Sequence, residues 1–181
     1  SSLAQVESPK YQVGVATIAV NAMLSKLAAA QKAYILGVRI LGADSVTVLS
    51  ELNKDGNTAA TAKLSANGGG VVVGLVDARA NIAVALADCS SHAFMAGVAM
   101  DGGALSVLSD ASSIASAKVE TASFSASYAS LGLNALFAYA NGDFGAYVAT
   151  ASAQMRPTSA RVSNTYTASS DADTTQSPVS A

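Results

Sequence analysis

The residues best suited to chemistry lie in one short run, Cys89-Ser90-Ser91-His92, which holds the only cysteine and the only histidine of the chain. The spacing could serve a Cys/His metal pair or a Ser–His couple. A structural zinc site needs four ligands, and one Cys plus one His leaves two to be found among carboxylates. The members of a nucleophilic triad usually come from distant parts of a chain, not from neighbours. A polar turn between two strands is the simpler reading. Asn53-Lys54-Asp55-Gly56-Asn57 and Asn141-Gly142-Asp143 have the composition of calcium loops. The EF-hand also requires a Glu at its twelfth position, and the calcium-binding nonapeptide requires tandem Gly-Gly-x-Gly-x-Asp. Neither is present, so both runs read as turns. Gly68-Gly69-Gly70 lacks the lysine of a phosphate loop and the spacing of a dinucleotide fingerprint. The carboxylates Glu7, Glu51, Glu120, Asp44, Asp77, Asp88, Asp101 and Asp110 form no recurring pair of the kind a glycosidase uses. Tyr11, Tyr128, Tyr139 and Tyr166 could stack on sugars or cover a core of small residues. The sequence therefore assigns no catalytic, metal or cofactor-binding residue. It predicts no cofactor and no enzyme.

The elements that would position these side chains repeat. Ala33-Tyr34-Ile35 returns as Ala93-Phe94-Met95 and as Ala146-Tyr147-Val148. A second echo follows each triplet: Val46 to Ser50, Leu105 to Ser109, Ala160 to Asn164. A third joins Ala60 to Leu64 with Ala115 to Val119, and a fourth is read between Val71 to Val76 and Leu131 to Phe137. The interval is about 55–60 residues, which marks stacked copies of one unit. Recurring residues are framework, so a specific site is sought where the copies differ, at Ala22 to Gln31 and at Cys89 to His92.

Each unit reads as three or four strands of about five to eight residues separated by turns. Gly37, Gly42, Gly97, Gly102, Gly103 and Pro157 mark turns after the triplets, and Ser123 to Ser130 reads as a further corner. Asn141-Gly142-Asp143 predicts a hairpin. Local propensity over residues 22–32 favours a helix, with Met23, Leu27, Ala30 and Tyr34 at helical spacing, whereas the corresponding stretches of the other copies favour strand. A single unit of this size cannot close a core, but stacked units can. The expected fold is an all-β solenoid of about three imperfect units, approximately 11–50, 51–109 and 110–164. Residues 1–10 form a lead-in, and residues 165–181 a polar tail or truncated next unit. Ala, Ser and Gly between facing sheets would allow closer approach than the usual ~10 Å. Tyr34, Phe94 and Tyr147 are expected to stack on one another.

Composition narrows the function classes. Charged residues are 12% of the chain, about half the usual share, and the net charge is −2 with basic residues dispersed. Nucleic-acid binding lacks its electrostatic footprint. No apolar run is long enough for a membrane-spanning helix. Starting at Ser1, the chain reads as a processed product or excised fragment.

Val13 to Asn21, Lys32-Ala33-Tyr34-Ile35 and Asp44 to Ser50 together resemble the repeat regions of giant bacterial filamentous adhesins, the haemagglutinin-like proteins with leukotoxin-type repeats. The resemblance spans about residues 11–168 and rests on period and composition. The helix-like Ala22 to Gln31 and the shortened third copy depart from it. It implies a β-solenoid stalk displayed outside the cell, extracellular or on the bacterial surface. Its implied work is extension, self-association or adhesion. Expected partners are other copies stacked end to end, neighbouring repeats of a longer chain, or a host-surface or glycan receptor. Two other functions stay open: a flat face binding a glycan or another regular ligand, hinted at by Thr58, Thr61 and Ser116, and a carbohydrate-active β-helix enzyme.

Overall fold

A computed structural model describes residues 2–7, 11–13, 15–66, 71–150 and 155–178. The described residues form strand without helix: β1 (Ser2–Glu7), β2 (Tyr11–Val13), β3 (Ala16–Leu36), β4 (Arg39–Leu41), β5 (Ser45–Leu52), β6 (Ala60–Ala66), β7 (Val71–Ala96), β8 (Ala99–Asp101), β9 (Ala104–Ala149), β10 (Met155–Arg156) and β11 (Ser159–Pro178). Every pairing is parallel.

The pairings build two long sheets and a short one. In the first, β1 pairs with β6, and β5 and β6 pair with the first half of β9, which pairs with β11 on its other side. In the second, β2 and β3 pair with β7, and β7 with the second half of β9. The short sheet is β4 on β8 on β10. The chain thus makes three passes, each running up one long sheet, round the short sheet and back along the other. β9 changes sheets between Ser123, which pairs with Pro178, and Phe124, which pairs with Val71.

The triplets lie in register, Tyr34 on Phe94 on Tyr147, and so do the second and third echoes. The rings of Tyr34 and Phe94 stack at 5.4 Å and those of Phe94 and Tyr147 at 5.0 Å, as the sequence predicts. The fourth echo is different. Val71 to Val73 pair with Phe124 to Ala126, and Leu131 pairs with Ala78.

Several sequence expectations give way. The strands are far longer than five to eight residues: β3 has 21, β7 has 26 and β9 has 46. Residues 22–32 are strand. Met23 and Ser25 point inward and are buried while Leu24 and Lys26 face out, and the backbone pairs with β7 through this stretch. A neighbouring strand that needs its ladder completed outweighs local helix preference. Asn141-Gly142-Asp143 makes no hairpin and pairs with Asp88-Cys89-Ser90 inside β9. Ser123 to Ser130 is strand, not an extended corner. Gly68-Gly69-Gly70 lies outside the described residues. Ser2–Glu7, read as lead-in, pairs with β6. Residues 165–178 of the tail continue β11 against β9.

The interior explains how two such sheets fit together. Inward positions are overwhelmingly small: Ala83, Ala85 and Ala87 on β7 meet Ala60, Ala62, Ala115 and Ala117 of the opposite sheet. Serine hydroxyls bridge the gap. Ser50 Oγ lies 2.7 Å from Ser91 Oγ, Ser109 donates to the Ser91 carbonyl at 3.1 Å, and Ser113 donates to the Ala87 carbonyl at 3.3 Å. A serine oxygen stands only ~2.5 Å from its Cα, so a hydroxyl that reaches the backbone of the facing sheet sets the separation there at roughly 5–6 Å, against the ~10 Å of ordinary stacked sheets. At the end near the short sheet, larger side chains (Met95, Val98, Met100, Leu105, Val107) widen the core.

At the corner, Gly37 and Gly97 share φ near 61°, in the left-handed region that glycine enters without cost. A Cβ on Gly103 would run into the Ala43 carbonyl. In the third pass Thr150 replaces the first glycine and its hydroxyl donates to the Val98 carbonyl at 2.8 Å.

The narrow gap generates a prediction. Ala85→Leu has no room to be accommodated, and it is expected to cost at least ~3 kcal/mol, the upper end for overpacked cores. Ser91→Ala strips partners from Ser50 and Ser109 and is expected to cost about 1–2 kcal/mol. Guanidinium unfolding monitored by circular dichroism measures both, and an Ala85→Leu protein as stable as its parent would disprove the close approach.

Candidate functional site

The alternation of a strand decides the Cys89 to His92 run. Cys89 and Ser91 face the interior and are buried, whereas Ser90 and His92 face outward and are half-buried. Cys89 and His92 stand on opposite sides of the sheet and cannot share a metal. Ser91 is spent on the serine bridge to Ser50 and Ser109.

His92 meets a different partner. Its Nε2 lies 3.2 Å from Asp143 Oδ2 of the next pass. Gly145, paired opposite His92, makes room for the ring, since a Cβ there would come within 3.0 Å of Nδ1. Ser90 pairs with Asp143 in the same sheet, so serine, histidine and aspartate share one outer surface. It is an open surface: Asp143 is 83% exposed. Beside it, between Ala28, Ala30, Asp88 and Ser90, is a shallow depression of about 380 Å³. Screened by water, the His–Asp contact has the weight of a surface ion pair.

The Asn53 loop closes on itself. Asn53 is left-handed at φ 52°. Its Oδ1 accepts from the Thr58 backbone at 2.7 Å and its Nδ2 donates to the Thr58 carbonyl at 2.7 Å. Ser112 Oγ in the pass alongside donates to the Asn53 carbonyl. The amide oxygen a cation would need is occupied by this turn. Lys54 pairs with Glu51 at 2.7 Å and reaches toward Asp110, and the hydrogen bond and charge of Glu51 hold its ammonium above the ordinary lysine range. Glu120 pairs with Lys63 at 3.0 Å. Among the described residues, no three His, Cys, Asp or Glu side chains gather closely enough to hold a metal ion. The side chains of Glu7, Asp77, Tyr11 and Tyr128 lie outside the described set.

The aromatic residues divide in two. The faces of Phe94 are covered by Tyr34 and Tyr147, which leaves ring edges rather than a flat platform toward solvent, a poor base for a sugar. Tyr166 stacks on Phe144 at 4.2 Å, and burial first, then Cys89, push its phenol up. A Cβ on Gly142 would strike the Phe144 ring. Tyr139 is 56% exposed and pairs opposite Leu86. Thr61 pairs with Ser116 while Thr58 is held in the Asn53 loop, so these three residues make no even array.

Two features escape the sequence reading. The first is an internal asparagine ladder: Asn21 donates to Asn81 at 3.0 Å and Asn81 to Asn134 at 2.9 Å. Its signal was a recurrence at intervals of 60 and then 53 residues. The second is the outer surface of the second sheet, where Ile18, Val20, Leu24, Leu131 and Leu133 are 62–79% exposed. The alternation of Ile18, Val20 and Leu24 with inward small residues carried that signal.

The chain matches no protein-family model, no curated protein and no solved structure.

Two predictions test this placement. Cys89 is expected to be inert to a thiol reagent such as DTNB in the native state and to react fully on unfolding, and rapid native labelling would contradict its inward position. Asn53→Ala loses three hydrogen bonds, one of them long, and takes on left-handed strain, with an expected cost of ~2–3 kcal/mol. Asn53→Gly is expected to cost about 1 kcal/mol less because glycine avoids that strain. Equal losses in a denaturant titration would remove the strain argument.

Proposed function

We propose that this chain is a structural, adhesive segment of a secreted or surface-displayed bacterial repeat protein, a β-solenoid of about three imperfect units that serves as a stiff stalk. The observation that carries the reading is the column structure. Side chains repeat in register from pass to pass, Tyr34 on Phe94 on Tyr147 and Asn21 on Asn81 on Asn134, and the strands hydrogen-bond along the stacking direction. Such an array gains stability from each added layer and stiffness along its axis. Asparagine ladders and stacked aromatic rings reinforce a parallel in-register stack. A composition poor in charge and rich in Ser, Thr and Ala, and the resemblance to filamentous adhesin repeats, support display outside the cell.

In this reading the natural partner of a pass is another pass, from the same chain or from a second copy stacked end to end. Specific adhesion, to a glycan or a host surface, would fall to residues that depart from the columns. No catalytic step is assigned: Glu51, Asp110 and Glu120 are engaged by lysines, and Asp143 meets His92 on an open surface.

Small-angle X-ray scattering across a concentration series tests the proposal. The expected particle is flat in section and grows in length at constant cross-section as concentration rises. A strict monomer at the highest concentration, or a compact isotropic particle, would count against a self-stacking stalk.

A further inference from the structure

We infer that the outer face of the second sheet is a docking surface for a second copy of this chain, laid face to face with the two sets of strands running the same way. The inference rests on the layered stalk described above and adds a lateral contact to it.

The starting point is a face that nothing among the described residues covers. Parallel sheets are normally buried on both sides. Here one side of the β2/β3–β7–β9 sheet lines the core. The other carries a field of exposed apolar side chains, with Ile18 at 79% and Leu133 at 62% exposure. Ile18 and Val20 form one ridge and Leu131 and Leu133 another. Between them Ala78 and Ala80 leave an apolar groove of about 110 Å³. At the opposite end stands the Tyr34–Phe94–Tyr147 column, with Tyr34 57% and Tyr147 45% exposed. From Ile18 to Leu36 the face is about 60 Å long and, three strands deep, about 14 Å wide. Its area is thus roughly 800 Å², the share that each partner contributes to a standard stable interface.

Charge selects the occupant. Between the two apolar ends the face carries Lys26 and Lys32 on the first pass, Asp88 on the second and Asp143 on the third. The lysines thus stand on one margin and Asp143 on the other, with Asp88 between them on the middle pass. A twofold axis running along the strands above the middle pass lays the first pass of one copy over the third pass of the other. Lys32 then faces Gly145 of the second copy, where the His92 ring of that copy lies, one alternate position from the Asp143 carboxylate that this ring contacts. Tyr34 of one copy lies over Tyr147 of the other, and Phe94 over Phe94. The other face-to-face twofold, with strands opposed, sets every pass against itself, lysines on lysines and Asp143 on Asp143, whereas here the like-charged pair is Asp88 on Asp88 at the axis. A lipid surface would have to desolvate Asp88 and Asp143 and supplies no lysine to them, whereas the second copy brings Lys32 to the side of Asp143.

The full chain tests this by sedimentation velocity and by cross-linking. In a Cys89→Ala background, Phe94→Cys and Ala80→Cys both sit under the proposed axis. Each is expected to couple to its own copy with a short bismaleimide, giving a species of twice the chain mass. Leu133→Asp is expected to weaken association at least tenfold with an unchanged β circular dichroism spectrum. Lys32→Glu is expected to weaken it severalfold, and adding Asp143→Lys to Lys32→Glu to restore it, a surface pair that keeps the test open should Leu133→Asp misfold. Three results overturn the inference: no cross-linked dimer from either cysteine, coupling from only one of them, or binding to lipid vesicles in place of self-association. If the chain lengthens end to end while neither cysteine couples, the stalk proposal stands and the lateral face does not.

Discussion

Two sheets can lie this close only if almost nothing stands between them, and the rest of the molecule follows from that constraint. Where Ser109 reaches the Ser91 carbonyl and Ser113 the Ala87 carbonyl, the middle pass has no depth for a leucine, and Leu27 and Leu136, which pack against the same cluster, stand on the passes to either side. Burial per residue is correspondingly poor, since an alanine removes little apolar surface from water. Cohesion has to come from elsewhere. It comes from ladder hydrogen bonds along every pass, from hydroxyls that satisfy each other across the gap, and from columns of like side chains. A polar residue at an inward position is tolerable only when it is bonded. Ser50, Ser91 and Ser109 meet that condition together, and Asn21, Asn81 and Asn134 meet it as a ladder.

The same constraint accounts for the strand lengths. In an ordinary sandwich, Ser, Asn and Gly signal turns because they sit badly in a thick apolar core. In a thin one they are the residues that fit. Asn141-Gly142-Asp143 continues a strand because Gly142 leaves space for the Phe144 ring, which stacks on Tyr166. The true corners are set by positive φ at Gly37, Gly97, Gly42 and Gly102, not by composition. At the one large irregularity, Asn53 to Thr58, the extra residues fold back onto their own backbone and the strands on either side stay in register.

This explains which parts of the fold were legible in the sequence. The repeats at Tyr34, Phe94 and Tyr147 and at Val46, Leu105 and Ala160 could be aligned by eye, because each carries a bulky or β-branched marker, and the structure pairs them residue for residue. Val71 to Val76 was matched seven residues away from its true neighbours, because a run of small apolar residues aligns with any other such run. Residues 22–32 looked helical because Ala, Lys, Leu and Gln favour helix locally, while the demand for strand comes from β7, some 60 residues further along the chain. The separation of Cys89 from His92 follows from strand parity alone, once the run is known to be strand. The contact between His92 and Asp143 could not be read from the sequence, because it depends on the register that joins the second pass to the third.

The two outer surfaces differ in a way the interior does not require. Outward positions of the first sheet include Thr47, Glu51, Thr61, Lys63, Ser116, Lys118 and Glu120 beside Leu3 and Leu49, a largely polar face on which Lys63 pairs with Glu120. Outward positions of the second are Ile18, Val20, Leu24, Leu131, Leu133 and Phe137. Both sheets line the same thin core and would fold as well with serine or threonine outside. Each large apolar side chain left in water forgoes about 1.5–3 kcal/mol that burial would supply, so the fold gains little from having them there. Their grouping on one face, bounded by lysines on one margin and an aspartate on the other, is therefore set by something other than the packing of the core. The thin interior thus fixes what the molecule is made of, and the unequal outer faces are where it acquires direction.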